Sequence, residues 1–366
     1  MPLRPRRTIA ALKAVPHGGI DAAEMERLGI DPAGILDFSV STNPFMPPPG
    51  IKELLASVPV ERYPDSSSTV LRRRLSERLG VPQENIIVGN GTTELIRLVA
   101  LAYLRRGDAA LVLGPTYGEY EAAARLAGAR VVKYHAPEKD AFSPDIGEVT
   151  GLIAARHPGA VFICNPNNPT GRYLARRHIG NILENIGNGL LVLDEAYVAF
   201  VEKSWDATLL TRRDNVVVLR SMTKDYGLPG LRLGYAVARR EIAASLRAVL
   251  PPWNVNIAAQ EIGAAVIEAD DYLEQTLRQV HEAARFLVEG LSRLGLPVLP
   301  SDAHYFLVRV RNAAACRLSL LKRGCLVRDC TSFGLPEYVR VSPRSLPECQ
   351  RLIDAFGEWM KWRVNS

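Results

Sequence analysis

Three apolar runs of the chain each end in a cluster of polar residues. Ala160–Cys164 leads into Asn165-Pro166-Asn167-Asn168-Pro169-Thr170-Gly171, and Leu190–Leu193 leads into Asp194-Glu195-Ala196-Tyr197. Val216–Leu219 leads, after Arg220, into Ser221-Met222-Thr223-Lys224. In an open parallel sheet, ligands bind beyond the carboxyl ends of the strands. An amide (Asn168), a carboxylate (Asp194), a phenol (Tyr197) and an amine (Lys224) are therefore expected in one cleft. Such a set can attach a carbonyl compound covalently to the amine and stabilise the charge that develops beside it.

The set meets the needs of pyridoxal 5'-phosphate. That cofactor requires an amine for a Schiff base, a carboxylate that keeps its ring nitrogen protonated so that the ring accepts electrons, and an anion site for its phosphate. Lys224 can supply the amine and Asp194 the carboxylate. The anion site falls at Gly89-Asn90-Gly91-Thr92-Thr93, a strand-to-helix junction whose free amides and helix dipole favour phosphate, with Ser221 and Arg232 beside it. Each feature has a plainer reading by itself: a solvated lysine, an aspartate that caps the next helix, a tight Gly-x-Gly turn, and turn-forming Asn and Pro. Their joint occurrence in this order favours the cofactor.

The elements that must position these residues follow from periodicity. From about residue 86 to 238, short runs rich in Val, Ile and Leu alternate with longer amphipathic stretches, the pattern of strand-helix units around a buried, mostly parallel sheet. Seven strands are expected at Ile86–Gly89, Ala110–Leu113, Arg130–Tyr134, Ala160–Cys164, Leu190–Leu193, Val216–Leu219 and Leu233–Val237, with a helix at Thr93–Arg106. Beyond Pro251-Pro252, apolar residues from Ile262 to Leu294 recur at spacings of three, four or seven, which predicts one long helix or two consecutive ones. A strand at Tyr305–Val310 and a helix over Pro347–Trp362 follow. The expected α/β architecture is a three-layer α/β/α large domain with a mostly parallel seven-stranded sheet over residues 45–252. Residues 1–44 would form an arm and part of a smaller α/β domain, completed by residues 253–366.

With 366 residues, 47% apolar and 23% charged, the chain can bury a large core, which excludes disordered and fibrous classes. No apolar run approaches the roughly 18 residues of a membrane span. The opening MPLRPRRTIAALKAV lacks the apolar centre of a secretory signal, and the five cysteines form no C-x-x-C pair. A reducing cytoplasm, free thiols and no metal are expected. The formal charge of +6 is spread along the chain, so a nucleic-acid patch is not indicated, while small anionic ligands are compatible with it.

NPNNPTG, LDEAY and SMTKDYGLPGLRLGY together resemble the pyridoxal-phosphate-dependent aminotransferases of class I and II, of fold type I, and the resemblance spans nearly the whole chain. It implies Lys224 as the Schiff-base lysine and Asp194 as the partner of the pyridine nitrogen. Asn168 and Tyr197 are implied as contacts of the ring's phenolic oxygen, and Tyr117, in GPTYGEY, as stacking on the ring. Gly91, Thr92, Thr93, Ser221 and Arg232 are implied for the phosphate. Tyr63, in RYPD, would reach the phosphate held by a neighbouring subunit, which implies a homodimer with shared sites.

Two branches of that family act on phosphorylated amino compounds: histidinol-phosphate aminotransferases, and the L-threonine-O-3-phosphate decarboxylases of cobalamin synthesis. The chain resembles both. His17-Gly18-Gly19 followed by ILDFSVSTNP is similar to the decarboxylase opening, with Ile20 where that branch has Asn. GCLVRDCTSFGLPEYVRVSPR carries Arg328, Arg340 and Arg344. Arg340 lies inside the apolar strand pattern Tyr338-Val339-Arg340-Val341, where an unpaired guanidinium is costly, so a buried anion is expected there. The resemblance puts the substrate-carboxylate arginine at Arg340, and Arg344 stands where the aminotransferase branch has Gly. His304 departs from both branches, which have Asn before an aromatic, and reads as a core histidine. The expected reaction is decarboxylation of a small phosphorylated amino acid, with His17, Gly18, Gly19 and Arg328 on its phosphate and Arg340 and Arg344 on its carboxylate. Transamination of histidinol phosphate is the alternative. A DNA-binding regulator is disfavoured because the residues ahead of Ser41 show no helix-turn-helix pattern, and a nicotinamide dehydrogenase leaves Lys224 and Asn168 without roles.

Overall fold

A computed structural model describes residues 3–10, 12 and 14–364. Residues 1, 2, 11, 13, 365 and 366 of the expected terminal units lie outside the described residues. The strands are β1 (Leu36–Asp37), β2 (Ile86–Gly89), β3 (Ala109–Gly114), β4 (Arg130–His135), β5 (Ala160–Cys164), β6 (Leu190–Asp194), β7 (Val216–Ser221), β8 (Gly234–Ala238), β9 (Phe306–Arg309), β10 (Cys325–Leu326), β11 (Arg328–Asp329) and β12 (Tyr338–Val341). Six helices matter most for the site: α1 (Thr69–Leu79), α2 (Gly91–Tyr103), α3 (Glu119–Ala127), α4 (Ile257–Val266), α5 (Asp270–Arg293) and α6 (Leu346–Val364).

The large sheet has the order β2-β8-β7-β6-β5-β3-β4. Only β8 runs antiparallel to its neighbours, and every other pairing is parallel. All residues of β5 and β6 are buried, as strands covered on both faces must be. Along β7, Val216 and Val218 enter a core with Ile153, Ile179 and Leu183, while Val217 and Leu219 enter another with Leu95, Val99 and Ala243. This alternation produces the three α/β/α layers. It also lines up the ends of the parallel strands: Cys164 pairs with Asp194, and Asp194 with Leu219.

The smaller unit contains an antiparallel sheet, β11-β12-β9, and a parallel pair, β1-β10, so residues near 37 join a sheet with residues near 325. Phe38, Leu287, Leu291, Val308, Val339, Phe356 and Trp359 form its core.

Packing does not follow the division expected at residue 252. Ala259, Ile262 and Val266 of α4 share a core with Leu71 and Leu75 of α1 and with Val88 and Val237 of the large sheet. Gly263 lies so close to Leu233 that a Cβ would come within 2.4 Å of its Cδ2. The long amphipathic pattern resolves into α4 and α5. Of the two, it is α5 that runs from one core to the other, with Leu273 in the large unit's core and Leu287 in the small one's. Among the described residues, no helix is long and apolar enough to cross a membrane.

Candidate active site

A cavity of about 850 Å³ opens beyond the carboxyl ends of β5, β6 and β7 and reaches the first turn of α2. Asp194, the last residue of β6, is only 2% exposed. The Tyr120 hydroxyl donates to its Oδ2 at 2.8 Å and the Ala196 amide to its Oδ1 at 3.0 Å. Burial pushes the Asp194 carboxyl up to about 6, although these two bonds and Lys224 favour the ionised form.

Lys224 lies three residues past β7 and lines the cavity. Its Nζ is 5.6 Å from the centre of the Tyr197 ring. Burial lowers the amine to about 8, with Arg340 and Arg232 adding to the effect and Asp194 opposing it. A lowered amine is more often unprotonated near neutrality, which is the form that adds to a carbonyl carbon. Burial also raises the Tyr117 phenol to about 12; its hydroxyl lies 3.1 Å from Thr93 Oγ1.

The amino end of α2 forms an anion cradle. Gly91 has a φ of +74°, and a Cβ there would lie 2.8 Å from Arg232 Nη2, so glycine is what lets the guanidinium approach the free amides of the first turn. Arg232 donates to the Pro229 carbonyl at 3.1 Å. Ser221 Oγ and Thr223 Oγ1, 2.7 Å apart, complete the rim.

The opposite wall carries two more guanidinium groups. Arg328 on β11 stands across from Arg340 on β12 in register, and their relative exposures are 9% and 5%. Arg340 donates to Asn168 Oδ1 and, at 2.7 Å, to the Ser39 carbonyl, and its Nε has no partner. Arg328 donates to the His17 carbonyl at 2.9 Å, the Pro16 carbonyl at 2.7 Å and Ser332 Oγ at 2.8 Å. Among the described residues, neither arginine is within ion-pair distance of a carboxylate, and burial together with Arg340 lowers the pKa of Arg328. The segment Val15–Gly18 closes this side. A Cβ on Gly18 would sit 2.6 Å from the Ser39 carbonyl oxygen, so only glycine lets the backbone lie there.

Of the residues singled out in the sequence, Lys224, Asp194, Tyr197, Asn168, Tyr117, Gly91, Thr92, Thr93, Ser221, Arg232, His17, Gly18, Arg328 and Arg340 all line this one cavity. Three do not. Gly19 lies behind the wall, its amide donating to Ser39 Oγ at 2.8 Å. Tyr63 is 78% exposed and stacks on Trp253 at a ring separation of 4.5 Å, outside the cavity of its own chain. Arg344 corrects the expectation of a two-arginine carboxylate clamp, because its Nη2 donates to Glu348 Oε1 at 2.8 Å. Glu348, in the first turn of α6, reaches back over Ser345, whose amide and hydroxyl both donate to its Oε2, the returning half of a capping box, and Arg344 is drawn onto the other oxygen. His304 is fully buried with its ring 3.7 Å from that of Phe200 and with both ring nitrogens unpartnered; burial holds it neutral.

Sequence reasoning missed Tyr120, Glu119, Arg97, Ser39 and Thr223, all on the cavity wall. For Tyr120 and Glu119 the available signal was GPTYGEY itself, in which only the first tyrosine stood out.

The residues fit pyridoxal phosphate. The cradle holds a guanidinium bonded only to a neutral carbonyl, the buried carboxylate of Asp194 has just two donors, and the nearby amine is enclosed and of lowered basicity. A model of the aminotransferase class I and II family matches residues 33–356. The chain is 33% identical over 362 residues to the histidinol-phosphate aminotransferase of Moorella thermoacetica, covering 96% of this chain and 92% of that one. Among solved structures it is similar to the histidinol-phosphate aminotransferase of Sinorhizobium meliloti in complex with pyridoxal-5'-phosphate, with a TM-score of 0.86 and 20% identity over 97% of each chain. It is also similar to the L-threonine-O-3-phosphate decarboxylase of Porphyromonas gingivalis, with a TM-score of 0.78 and 28% identity over 88% of this chain and 99% of that one. The chain thus belongs to the class I and II aminotransferases, enzymes of fold type I whose cofactor is pyridoxal phosphate.

Proposed function

We propose that the protein is an aminotransferase for a phosphorylated amine of the histidinol phosphate type, working as a homodimer. One observation carries this reading: Arg328 and Arg340, side by side and largely buried, donate only to neutral oxygens. Two adjacent guanidinium groups without a carboxylate leave a net positive wall, which costs free energy until an anion arrives. The cofactor's phosphate has its own cradle at Arg232, so the second pair suits a second phosphate. With Arg344 held by Glu348, the clamp expected for an additional carboxylate is lacking, and histidinol phosphate has no carboxylate.

Pyridoxal phosphate, when bound, supplies the electron sink that makes a proton on the amine-bearing carbon removable. The chain's residues do the rest. Asp194, aimed by Tyr120 and the Ala196 amide, would hold positive charge at the ring nitrogen. Tyr197 and Asn168 would bond the ring oxygen, and Asn168 is itself fixed by Arg340. Lys224, with its lowered basicity, takes the proton from the amine-bearing carbon and returns it. Arg328 and Arg340 orient the substrate so that this bond faces Lys224. Tyr63, exposed on its own chain, serves the partner subunit's site.

The phosphate requirement tests the reading. Histidinol phosphate with 2-oxoglutarate should form glutamate with a kcat/KM about 10²-fold above that for unphosphorylated histidinol, from charge-assisted bonds of roughly 1.5–3 kcal/mol each. Arg340→Met should remove most of that preference. Equal rates for the two amines would overturn the assignment.

Decarboxylation of a phosphorylated amino acid is the second reading. It is favoured by the His17-Gly18 segment on the cavity wall beside Arg328, the segment that resembles the decarboxylase opening.

A further inference from the structure

One residue spans the gap between the positive wall and a buried acid. The His17 carbonyl accepts from Arg328 Nη1 at 2.9 Å, while His17 Nε2 lies 3.4 Å from Glu119 Oε1. Its ring is also 5.9 Å from that of Tyr117, tilted by 55°. Glu119 begins α3, and its side chain is 5% exposed. Its other oxygen is held by Arg97 Nη2 at 3.0 Å, so the carboxylate is oriented before any ligand arrives. Bonds from His17 and Arg97 keep its carboxyl below the usual range, and therefore ionised.

The covalent skeleton of His17 supplies the argument. A histidine residue has a carbon that carries nitrogen, an oxygen two bonds from that carbon on one side, and an imidazole one methylene away on the other. Histidinol phosphate has the same skeleton, with a phosphate ester oxygen in place of the carbonyl oxygen. His17 sits with its oxygen end on Arg328 and its imidazole on Glu119, which are the partners those two ends of the substrate require. Its side chain is 52% exposed, so it is positioned to leave.

We infer that Arg328 and Glu119 form a subsite that reads the histidine skeleton of the substrate, and that His17 of the chain's own arm occupies this subsite in the free enzyme. The inference rests on the aminotransferase reading and names a specificity residue for it. When substrate binds, its phosphate replaces the Pro16 and His17 carbonyls on Arg328, its imidazole replaces that of His17 on Glu119, and the arm segment Val15–Gly18 withdraws.

The test uses holoenzyme, with bound-cofactor absorbance as the check that each variant is folded. His17→Ala should lower KM for histidinol phosphate at least about threefold, because the competing imidazole is gone. Glu119→Gln should raise that KM about tenfold, the loss of one charge-assisted bond, but should leave KM for 2-aminopropyl phosphate, which has the amine and phosphate without the imidazole, within twofold. A higher KM in His17→Ala would mean that the arm is a wall of the site, and an equal rise for both amines in Glu119→Gln would mean that the carboxylate only supports the fold. Either result overturns the inference, as does unchanged KM in both variants, while the aminotransferase reading stands. If wild-type enzyme forms no glutamate from histidinol phosphate, that reading fails and takes the inference with it.

Discussion

Asp194 is a carboxylate placed where the protein alone would prefer it neutral. Its carboxyl is raised from 3.8 to about 6, and burial is the largest cause. A raised acid contributes stability that is fully present below the unfolded value and is lost as pH rises through the folded one, so in the apoenzyme the ionised group above about pH 6 is a net cost. Asp194→Asn should therefore make the apoenzyme more stable at pH 8, by up to about 3 kcal/mol for a shift of roughly two units, and the gain should shrink as pH falls toward 5. Chemical denaturation at several pH values checks this, and a gain independent of pH would contradict it. On the proposed reading the same substitution in the holoenzyme would remove the charge opposite the ring nitrogen, and turnover should fall by roughly 10²–10⁴.

At the scale of elements, the amino end of α6 decides what Arg344 does. Ser345→Ala removes the hydroxyl bond to Glu348 and should lower the unfolding free energy by about 1 kcal/mol. Arg344→Ala should leave KM for the phosphorylated amine within twofold; a tenfold rise would return Arg344 to the substrate site. Ser345 and Glu348 stand at capping spacing in the sequence, but spacing alone does not show that Arg344, three residues past β12, pairs with Glu348 and not with a substrate. The seven strands of the large sheet, by contrast, lie within a residue or two of where Val, Ile and Leu runs put them, because runs that are short, rich in β-branched residues and separated by longer amphipathic stretches mark strands, even at the partly exposed edge strand β4. Periodicity also showed that α4 has a buried face without showing which unit covers it, and Pro251-Pro252 marks a turn rather than a division between units. Tyr120 was invisible for a related reason: it meets Asp194 across 74 residues of chain, and local spacing says nothing about such a contact. Lys224, Asp194 and Asn168 could be found because each lies at or just beyond the carboxyl end of a parallel strand, where topology alone forces convergence.

For the whole molecule, the cavity is positive on two walls, and Tyr63 stands away from its own chain's site. If sites are shared between subunits, a Tyr63→Phe chain and a Lys224→Ala chain, each poorly active alone, should regain activity when mixed and allowed to exchange. Each mixed dimer would hold one site with both residues intact. No recovery, with exchange verified by mass, would place Tyr63 in its own chain's site or in none. The central claim concerns what the pair Arg328 and Arg340 receives, and product analysis tests it most directly. Holoenzyme is incubated with histidinol phosphate plus 2-oxoglutarate and, separately, with O-phosphothreonine, and glutamate and carbon dioxide are measured in both. The account predicts rapid, 2-oxoglutarate-dependent glutamate formation from histidinol phosphate and little carbon dioxide from O-phosphothreonine. Rapid carbon dioxide release from O-phosphothreonine with no glutamate from histidinol phosphate would contradict it.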